Sequence, residues 1–385
     1  HARPMTLSRI VSRPDQSFFL LGPRGTGKST WLRTTFPDAH RFDLLAEDTY
    51  QRLLANPGLF AAEVRGVEPD RWVIVDEVQR LPGLLNEVHR FIEERRLNFV
   101  LCGSSARKLK RRGVNLLAGR ALRRFMHAFV PEELGERFDL DEALRYGLLP
   151  IVWASPAKED TLSAYAQLYL KEEIQGEALV RNLPGFARFL PLCALFHAQT
   201  INATNIAREA GVARTTVAGY LEILEETLLC FRLPAFEAKL RVRERKLPKW
   251  YWCDPGMVRA MKRMSGRVTP EERGALFEGL VAQLIRAYRD YRNICDEMFY
   301  WAPSGSGTEV DFLLVRGSGL VGIEIKSGAT FAEQWCRGLR AVAGMKGLRR
   351  RLLVYPKGPV LRTEEGIEVM PFERFARLLA DGALW

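Results

Sequence analysis

Short apolar runs alternate with amphipathic stretches through the first third of the chain. Residues 18–21 (FFLL) and 72–75 (WVIV) are apolar at every position, as strands buried on both faces of a sheet are. Residues 84–95 have the spacing of an amphipathic helix, and residues 28–36 also have helical character. Further strands are predicted at residues 40–45, 98–102 and 122–130. This alternation predicts an α/β fold with a parallel sheet and helices on both faces.

The pattern becomes helical after Pro131, which lies in the first turn of a predicted helix. A long helical stretch follows at residues 162–180, and a helical unit at residues 188–233 ends in an apolar strand. From about residue 274 the order changes to helix, strand, hairpin, helix, strand and helix. We therefore predict three domains, at residues 1–134, 135–267 and 268–385.

The composition fits this division and limits the class of protein. A chain of 385 residues is too long for one typical core, and 47% hydrophobic residues are typical of a globular protein. No apolar stretch is long enough to span a bilayer, no signal peptide is visible, and the six cysteines form no CxxC pair. We expect a cytoplasmic protein with reduced thiols and no membrane partner. The net charge of +11 favours a polyanionic partner such as nucleic acid.

The turn after the first strand is a candidate phosphate-binding loop. Residues 22–29 (GPRGTGKS) match the P-loop pattern at every specified position and lie between a strand and a helix. Backbone N–H groups in such a loop curl around phosphate oxygens, while Lys28 would reach the β- and γ-phosphates and Ser29 would hold Mg²⁺. We expect ATP and Mg²⁺ as cofactors, and the alternative is a glycine-rich turn that binds nothing. The predicted nucleotide-binding residues are Gly22, Pro23, Arg24, Gly25, Thr26, Gly27, Lys28, Ser29 and Thr30.

Two further strand ends carry candidate catalytic residues. Asp76 and Glu77 follow an apolar strand, where Asp76 would hold Mg²⁺ and Glu77 would orient or deprotonate the attacking water. An acidic pair at such a position can also cap a helix. Ser104 and Ser105 follow the next strand and suit a polar sensor near the γ-phosphate, or else a hydroxyl-capped turn. Together with Lys28, these residues predict hydrolysis of a nucleoside triphosphate.

Arg120 precedes a predicted core strand and has two interpretations. It would stabilise transition-state charge on the nucleotide of a neighbouring subunit, or it forms a surface salt bridge. The first interpretation requires a homo-oligomer, and the sequence does not decide between the two.

Residues 202–226 have the spacing of a helix-turn-helix. Ala207 is small enough for a second helix to approach closely, and Gly211 allows a tight turn. A strand on either side of the basic stretch 241–246 would make that stretch the tip of a wing. These features predict DNA contact, with a protein-packing role as the alternative. The predicted DNA-binding residues are Arg214, Thr215, Thr216, Arg241, Arg243, Arg245 and Lys246.

Acidic residues and a lysine near the C-terminus have the spacing of a metal-dependent nuclease. Asp311 lies on one strand of a predicted hairpin, and Glu324 and Lys326 alternate onto one face of the other. Glu278 lies at the edge of the apolar stripe of the preceding helix. Asp311 and Glu324, with Glu278, would hold Mg²⁺, and Lys326 would position the attacking water. The alternatives are solvent-facing charge alternation and a nuclease fold used only for binding.

The ordered set of motifs resembles the bacterial and archaeal ATPases of the AAA+ class that carry a DUF4143 domain. The resemblance covers nearly the whole chain and implies an AAA+ fold, a winged helix and a C-terminal α/β domain related to the restriction-endonuclease-like PD-(D/E)xK nucleases. The chain departs from the family pattern at residues 147–150 (GLLP), where a Gly-Gly-aromatic-Pro form is usual, and at Cys102, where a small hydroxyl residue is usual. The motifs that carry the resemblance are Gly22–Ser29, Val73–Gln79, Leu101–Ala106, Leu117–Arg120, Lys249–Gly256, Trp301, Glu309–Phe312 and Glu324–Ser327.

These observations predict a Mg²⁺-dependent ATPase that binds or remodels DNA. ATP would change how the helix-turn-helix and the C-terminal domain are presented to the nucleic acid. Two alternatives stay open, namely an ATP-dependent signalling switch that recruits a protein partner and an ATP-gated nuclease.

Overall fold

The structure is a computed structural model that describes residues 7–104, 117–176, 180, 182–237, 246–305 and 307–385. The fold is mixed α/β, as the sequence predicts. Two compact units are present, one formed mainly by residues 8–127 and the other mainly by residues 128–225 and 229–385. None of the helices in the described ranges combines the length and the apolar character that crossing a bilayer requires.

The first unit is built on a five-stranded parallel sheet with the strand order β2-β3-β4-β1-β5. Its strands are β1 (Phe18–Leu21), β2 (His40–Asp43), β3 (Val73–Asp76), β4 (Phe99–Gly103) and β5 (Leu122–Phe125). Its helices are α1 (Lys28–Thr35), α2 (Glu47–Ala55), α3 (Gly58–Arg65) and α4 (Leu84–Arg95). Short 3₁₀ turns lie at Val78–Arg80 and Leu117–Gly119.

Successive side chains of β1 point to opposite faces of this sheet, and both faces are covered. Phe19 belongs to a buried cluster that includes Phe60 of α3 and Phe91 of α4. Phe18, on the opposite face, packs edge-on against Trp31 of α1, with ring centroids 6.4 Å apart. Helices therefore cover both faces of a parallel sheet, which confirms the prediction.

The first part of the second unit is helical around a small antiparallel sheet with the strand order β6-β8-β7. The strands are β6 (Gln199–Thr200), β7 (Cys230–Leu233) and β8 (Lys249–Trp252), and every residue of β8 is buried. The helices are α5 (Pro131–Leu134), α6 (Leu140–Tyr146), α7 (Pro150–Trp153), α8 (Lys158–Gly176), α9 (Leu183–Leu195), α10 (Ala203–Ala210), α11 (Arg214–Glu226) and α12 (Pro255–Met261).

The C-terminal part of the same unit contains a six-stranded mixed sheet with the strand order β13-β14-β12-β11-β10-β9. The strands are β9 (Glu297–Trp301), β10 (Val310–Arg316), β11 (Gly319–Ile325), β12 (Leu348–Tyr355), β13 (Leu361–Arg362) and β14 (Glu368–Pro371). The helices are α13 (Pro270–Arg292), α14 (Arg337–Ala341) and α15 (Phe372–Ala380). The hairpin of β10 and β11 is antiparallel, and β11 then pairs in parallel with β12.

Candidate functional site

The loop between β1 and α1 has the geometry of a phosphate-binding site. Gly27 has φ +86°, a left-handed conformation that favours glycine, and it directly precedes α1. The Lys28 ammonium donates to the carbonyl oxygens of Gly22 at 2.7 Å and of Pro23 at 3.0 Å, which holds it against the loop. The positive end of the α1 dipole and the lysine thus lie together, as an anion site requires.

Asp76, at the end of β3, faces the first turn of α1. Its Oδ2 accepts a hydrogen bond from the Ser29 hydroxyl at 2.7 Å, and its Oδ1 accepts one from the backbone N–H of Glu77 at 3.1 Å. Because β1 and β3 run in the same direction, both strands end at the same edge of the sheet. A hydroxyl and a carboxylate are hard oxygen donors, so this pair fits Mg²⁺ bound with a triphosphate.

Glu77 lies next to this pair in a left-handed backbone conformation, with φ +56°. Burial raises the pKa of its carboxyl group above the ordinary value, while Lys28 and a hydrogen bond from Gln79 counteract that rise. The Nε2 of Gln79 donates to Glu77 and also lies 3.3 Å from the hydroxyl of buried Ser104. The structure therefore brings Glu77 and Ser104 together through Gln79, whereas Ser105 lies outside the described residues.

Two residues to which the sequence analysis gave no role support this site. Gln79 follows the acidic pair by two positions, and an amide so close to a candidate base was the available signal. Arg9 donates to the backbone carbonyls of Thr26 and His127 and so braces the loop from outside the motif. Nothing in the local pattern around Arg9 distinguishes it from an ordinary surface arginine.

Three predicted residues of the first unit, Arg24, Thr30 and Arg120, lie at the surface. Arg24 and Thr30 are exposed at the loop and in the first turn of α1. Arg120 forms an ion pair with Glu93 of α4, and about a third of its side chain is exposed, 37%. This is the surface salt bridge of the two interpretations, and a role toward a neighbouring subunit stays a prediction.

Helices α10 and α11 lie on either side of the turn that the helix-turn-helix pattern predicts. The chain turns at Gly211, with φ +64°, whose N–H closes α10 on the carbonyl oxygens of Ala207 and Arg208. Arg214 and Thr215 are exposed and Thr216 is half-buried, so the start of α11 presents polar side chains to solvent. Lys246 is exposed and pairs with Glu237 at 3.6 Å. Arg241, Arg243 and Arg245 lie outside the described residues.

The acidic residues of the C-terminal part surround a buried lysine from β8. The Nζ of Lys249 lies 2.9 Å from Glu278 Oε1, 3.1 Å from Glu309 Oε1 and 3.4 Å from Asp311 Oδ1. Only 4% of the lysine side chain is exposed. Burial alone would lower the pKa of Lys249, but the charges around it, led by Glu278, raise it above the ordinary value. The ammonium therefore stays charged inside the cluster.

Further contacts complete this acid cluster of Glu278, Glu309, Asp311 and Glu324. Tyr251, also on β8, donates its hydroxyl proton to Glu278 Oε1 at 2.6 Å. Lys326 pairs with Oε1 of Glu324, and Asp311 Oδ2 accepts the backbone N–H of Ile325 at 2.8 Å. Glu324 is 3% exposed, so it is not part of a solvent-facing charge alternation.

Two carboxyl groups of this acid cluster have raised pKa values. Burial and the neighbouring charge of Asp311 raise the pKa of Glu278 to about 7, and the same two causes raise the pKa of Glu324. In the part of the chain that the structure describes, no group of three or more His, Cys, Asp or Glu side chains is arranged to hold a metal ion. The carboxylates of this arrangement are engaged with ammonium groups and so do not fit a resident Mg²⁺. The metal role predicted for Glu278, Asp311, Glu324 and Lys326 therefore requires that the ammonium groups first move away from the carboxylates.

Three family models match successive parts of the chain. Residues 14–135 match an AAA domain, residues 137–268 match a domain of unknown function (DUF8612), and residues 273–375 match a domain of unknown function (DUF4143). The first match contains the phosphate-binding loop, Asp76 and Glu77. The second contains Lys249, and the third contains the acidic residues that surround it.

Similar proteins add no established activity. An uncharacterized protein of Mycobacterium tuberculosis is 26% identical over 347 residues, which make up 88% of this chain and 76% of that protein. Among solved structures, the ORC1 protein of Aeropyrum pernix in complex with DNA is 15% identical, with 66% of this chain and 87% of that chain covered and a TM-score of 0.28. The ORC2 protein of the same organism, in its ADP form, is 16% identical, with coverage of 56% and 81% and a TM-score of 0.30. TM-scores this low do not establish a shared fold.

Proposed function

Because this chain joins a P-loop AAA domain to a DUF4143 domain, we propose that it is a Mg²⁺-dependent ATPase that acts on DNA. The observation that carries the ATPase proposal is the meeting of four side chains at one edge of the parallel sheet. Lys28 and Ser29 open α1, and Asp76 and Glu77 end β3, with Ser29 bonded to Asp76 at 2.7 Å. This arrangement supports both binding and hydrolysis of a triphosphate.

In the proposed reaction, the loop N–H groups and the N-terminus of α1 bind the phosphates. Lys28 moves its ammonium from the carbonyl oxygens of Gly22 and Pro23 to phosphate oxygens. Ser29 and Asp76 would hold Mg²⁺, which would supply positive charge that neutralises the phosphates. Glu77 orients the attacking water and accepts its proton.

The proposed DNA contact lies in the middle section of the chain. Arg214, Thr215 and Thr216 at the start of α11 would enter a groove, and basic residues 241–246 would contact the phosphate backbone. The exposure of Arg214 and Thr215 supports this role.

The proposal divides the chain into three domains. Residues 1–134 would hydrolyse the nucleotide, residues 135–267 would form the lid and winged helix, and residues 268–385 would form the nuclease-like domain. A cytoplasmic location and a homo-oligomer stay predictions.

The first test is ATP hydrolysis with and without duplex, single-stranded and branched DNA. We expect DNA to raise the rate. Glu77→Gln should lower kcat by about 10²–10⁴-fold while ATP still binds, because only the base is lost. Lys28→Ala should abolish turnover through lost phosphate contact. Glu68→Gln, which makes the same substitution at an exposed glutamate of the same unit, is the matched control and should retain the parental rate.

Each outcome of this test decides one part of the proposal. Turnover that persists in Lys28→Ala removes the P-loop assignment, and a parental rate in Glu77→Gln removes the proposed base. Hydrolysis that is indifferent to every form of DNA favours the alternative of a signalling switch that recruits a protein partner.

The second alternative, an ATP-gated nuclease, requires metal at the acid cluster and therefore the departure of Lys249. Metal-dependent cleavage that Lys326→Ala removes would support this alternative. A contaminating nuclease would survive the same substitution.

A further inference from the structure

Lys249 makes the contacts in the acid cluster that a bound cation would make. Its ammonium has three N–H groups, and three carboxylates lie within 3.4 Å of the nitrogen. Two of these carboxylates, from Glu278 and Asp311, are among the predicted metal ligands. The lysine reaches them from β8, which the chain places 62 residues before Asp311.

Two further oxygen atoms of the predicted ligands are also engaged. Asp311 Oδ2 accepts the Ile325 N–H, and Oε1 of Glu324 bonds Lys326. Among the residues that the structure describes, Oε2 of Glu324 is buried and has no hydrogen-bond partner. Mg²⁺ takes six oxygen ligands in an octahedral arrangement. Each predicted acidic ligand already has at least one oxygen bonded to an ammonium, hydroxyl or amide group, so the ion would have to displace these partners.

Electrostatics act in the same direction as the geometry. A divalent ion that entered beside Lys249 would meet a like charge within a few ångströms in a buried site, where repulsion is strong. Removal of the ammonium would instead leave three carboxylates, those of buried Asp311 and of the partly exposed Glu278 and Glu309, without their shared counter-ion, and such a group attracts any available cation.

We propose that the Lys249 ammonium is the resident cation of the acid cluster and excludes divalent metal ions from it. While Lys249 contacts the carboxylates, the C-terminal site is closed to metal ions. A metal ion enters only when the Lys249 side chain moves away from them. The inference concerns this site alone and is independent of ATP hydrolysis.

The test is Mn²⁺ binding to the full chain without nucleotide, followed through the EPR signal of free Mn²⁺. Asp76→Asn is present throughout, so that metal at the nucleotide site does not contribute. Lys249→Met removes the ammonium and retains an unbranched side chain of similar length. We expect Lys249→Met to bind one Mn²⁺ ion at the cluster at least tenfold more tightly than the parent does. Adding Glu324→Gln to Lys249→Met should abolish that binding.

Lys246→Met is the matched control, because it removes an exposed lysine three positions earlier on the same segment. It should behave as the parent does. The proposal is overturned when the parent itself binds Mn²⁺ in a manner that Glu324→Gln abolishes. It is equally overturned when folded Lys249→Met binds Mn²⁺ no better than the parent.

A second readout covers the case in which Lys249→Met folds poorly. Ligands that bind only the folded state raise its melting temperature. Millimolar Mn²⁺ should therefore raise the Tm of Lys249→Met and leave the Tm of the parent and of Lys246→Met unchanged. Failure of Mn²⁺ to stabilise Lys249→Met contradicts the proposal, because a metal ion would then be unable to replace the ammonium.

Discussion

A hydrogen bond from the side-chain amide of Gln79 orients the carboxylate of Glu77. The left-handed backbone at Glu77 turns the chain sharply after β3 and brings Gln79 back toward the carboxylate. A base that is held in one orientation loses less entropy on reaching the transition state. Gln79 is thus a positioning residue for the proposed base and does not itself contact the reacting atoms.

We expect Gln79→Ala to lower kcat for ATP hydrolysis by about 10-fold to 100-fold with little effect on nucleotide binding. The hydrogen bond from Gln79 lowers the pKa of Glu77, so its loss raises that pKa. The acid limb of the kcat–pH profile should therefore move to higher pH. Steady-state kinetics across a pH series, with a separate measurement of nucleotide affinity, would check both effects.

Gln51→Ala provides the comparison, since Gln51 also donates to a glutamate, Glu47, but does so on the exposed side of α2. It should leave both kcat and the pH profile at parental values. A parental kcat and an unmoved acid limb in Gln79→Ala would contradict the positioning role.

Residues within one continuous motif were predictable, and residues brought in from elsewhere were not. Lys28, Ser29 and Asp76 follow from the P-loop pattern and the acidic strand end, and the structure brings them together at one sheet edge. Lys249 was not predicted as part of the acid cluster, because no local pattern links it to carboxylates 29 to 75 residues later. Only the pairing of β8 within its own sheet fixes where that lysine points.

Among the elements, the contact of β8 with α13 depends on a glycine in the middle of a helix. A Cβ at Gly279 would lie 1.9 Å from Nε2 of His197, so no larger residue fits there. Glycine inside a helix costs about 0.5–1 kcal/mol relative to alanine, which close packing against the ring offsets. His197 Nδ1 in turn accepts the backbone N–H of Trp252 at 3.1 Å and ties the ring to β8.

This contact predicts a pH dependence of stability. Burial lowers the pKa of His197 from 6.5 to about 3, so the folded chain keeps the ring neutral where the unfolded chain binds a proton. The stabilisation is complete above pH 6.5 and is lost as the pH falls toward 3. Relative to His197→Asn, which retains an acceptor and does not titrate, the parent should lose roughly 2 kcal/mol between pH 7 and pH 5.

Urea denaturation at both pH values, followed by tryptophan fluorescence, measures this difference. Burial raises the pKa of Asp254 to about 6, so this carboxyl group favours the folded state as the pH falls. Its contribution is the same in the parent and in His197→Asn, and it cancels in the difference between them. His89→Asn changes an exposed histidine and should retain the parental pH dependence. An identical pH dependence in parent and His197→Asn would refute the expectation.

The bounds of elements with a clear pattern of apolar residues were predicted accurately from the sequence. Elements with a weak apolar pattern were predicted with wrong bounds or were missed. The prediction for β1 matches the observed Phe18–Leu21, and that for α4 matches Leu84–Arg95. The strand expected at 122–130 ends at Phe125, because a buried apolar coil has the same composition as a strand. α2 was not predicted, since Leu53 is its one fully buried residue and gives little periodic signal.

For the molecule as a whole, the AAA and DUF4143 matches confirm the resemblance that the ordered motifs indicate. The order of the motifs along the chain identified the resemblance, because each motif alone occurs in many unrelated proteins. The net charge of +11 agrees with a nucleic-acid partner but does not identify one, since charge alone is not specific. DNA contact therefore remains a proposal that rests on the helix-turn-helix.

The position of Lys249 has a consequence for how such proteins diversify. The lysine belongs to the DUF8612 section, and the acids that it neutralises belong to the DUF4143 section. A chimera that joined this C-terminal section to a middle section without a lysine at that register would leave three neighbouring acids, of which Asp311 is buried, with no shared counter-ion. The two sections should therefore be inherited as a pair, and recombination between them should be tolerated only where both partners of this ion cluster travel together.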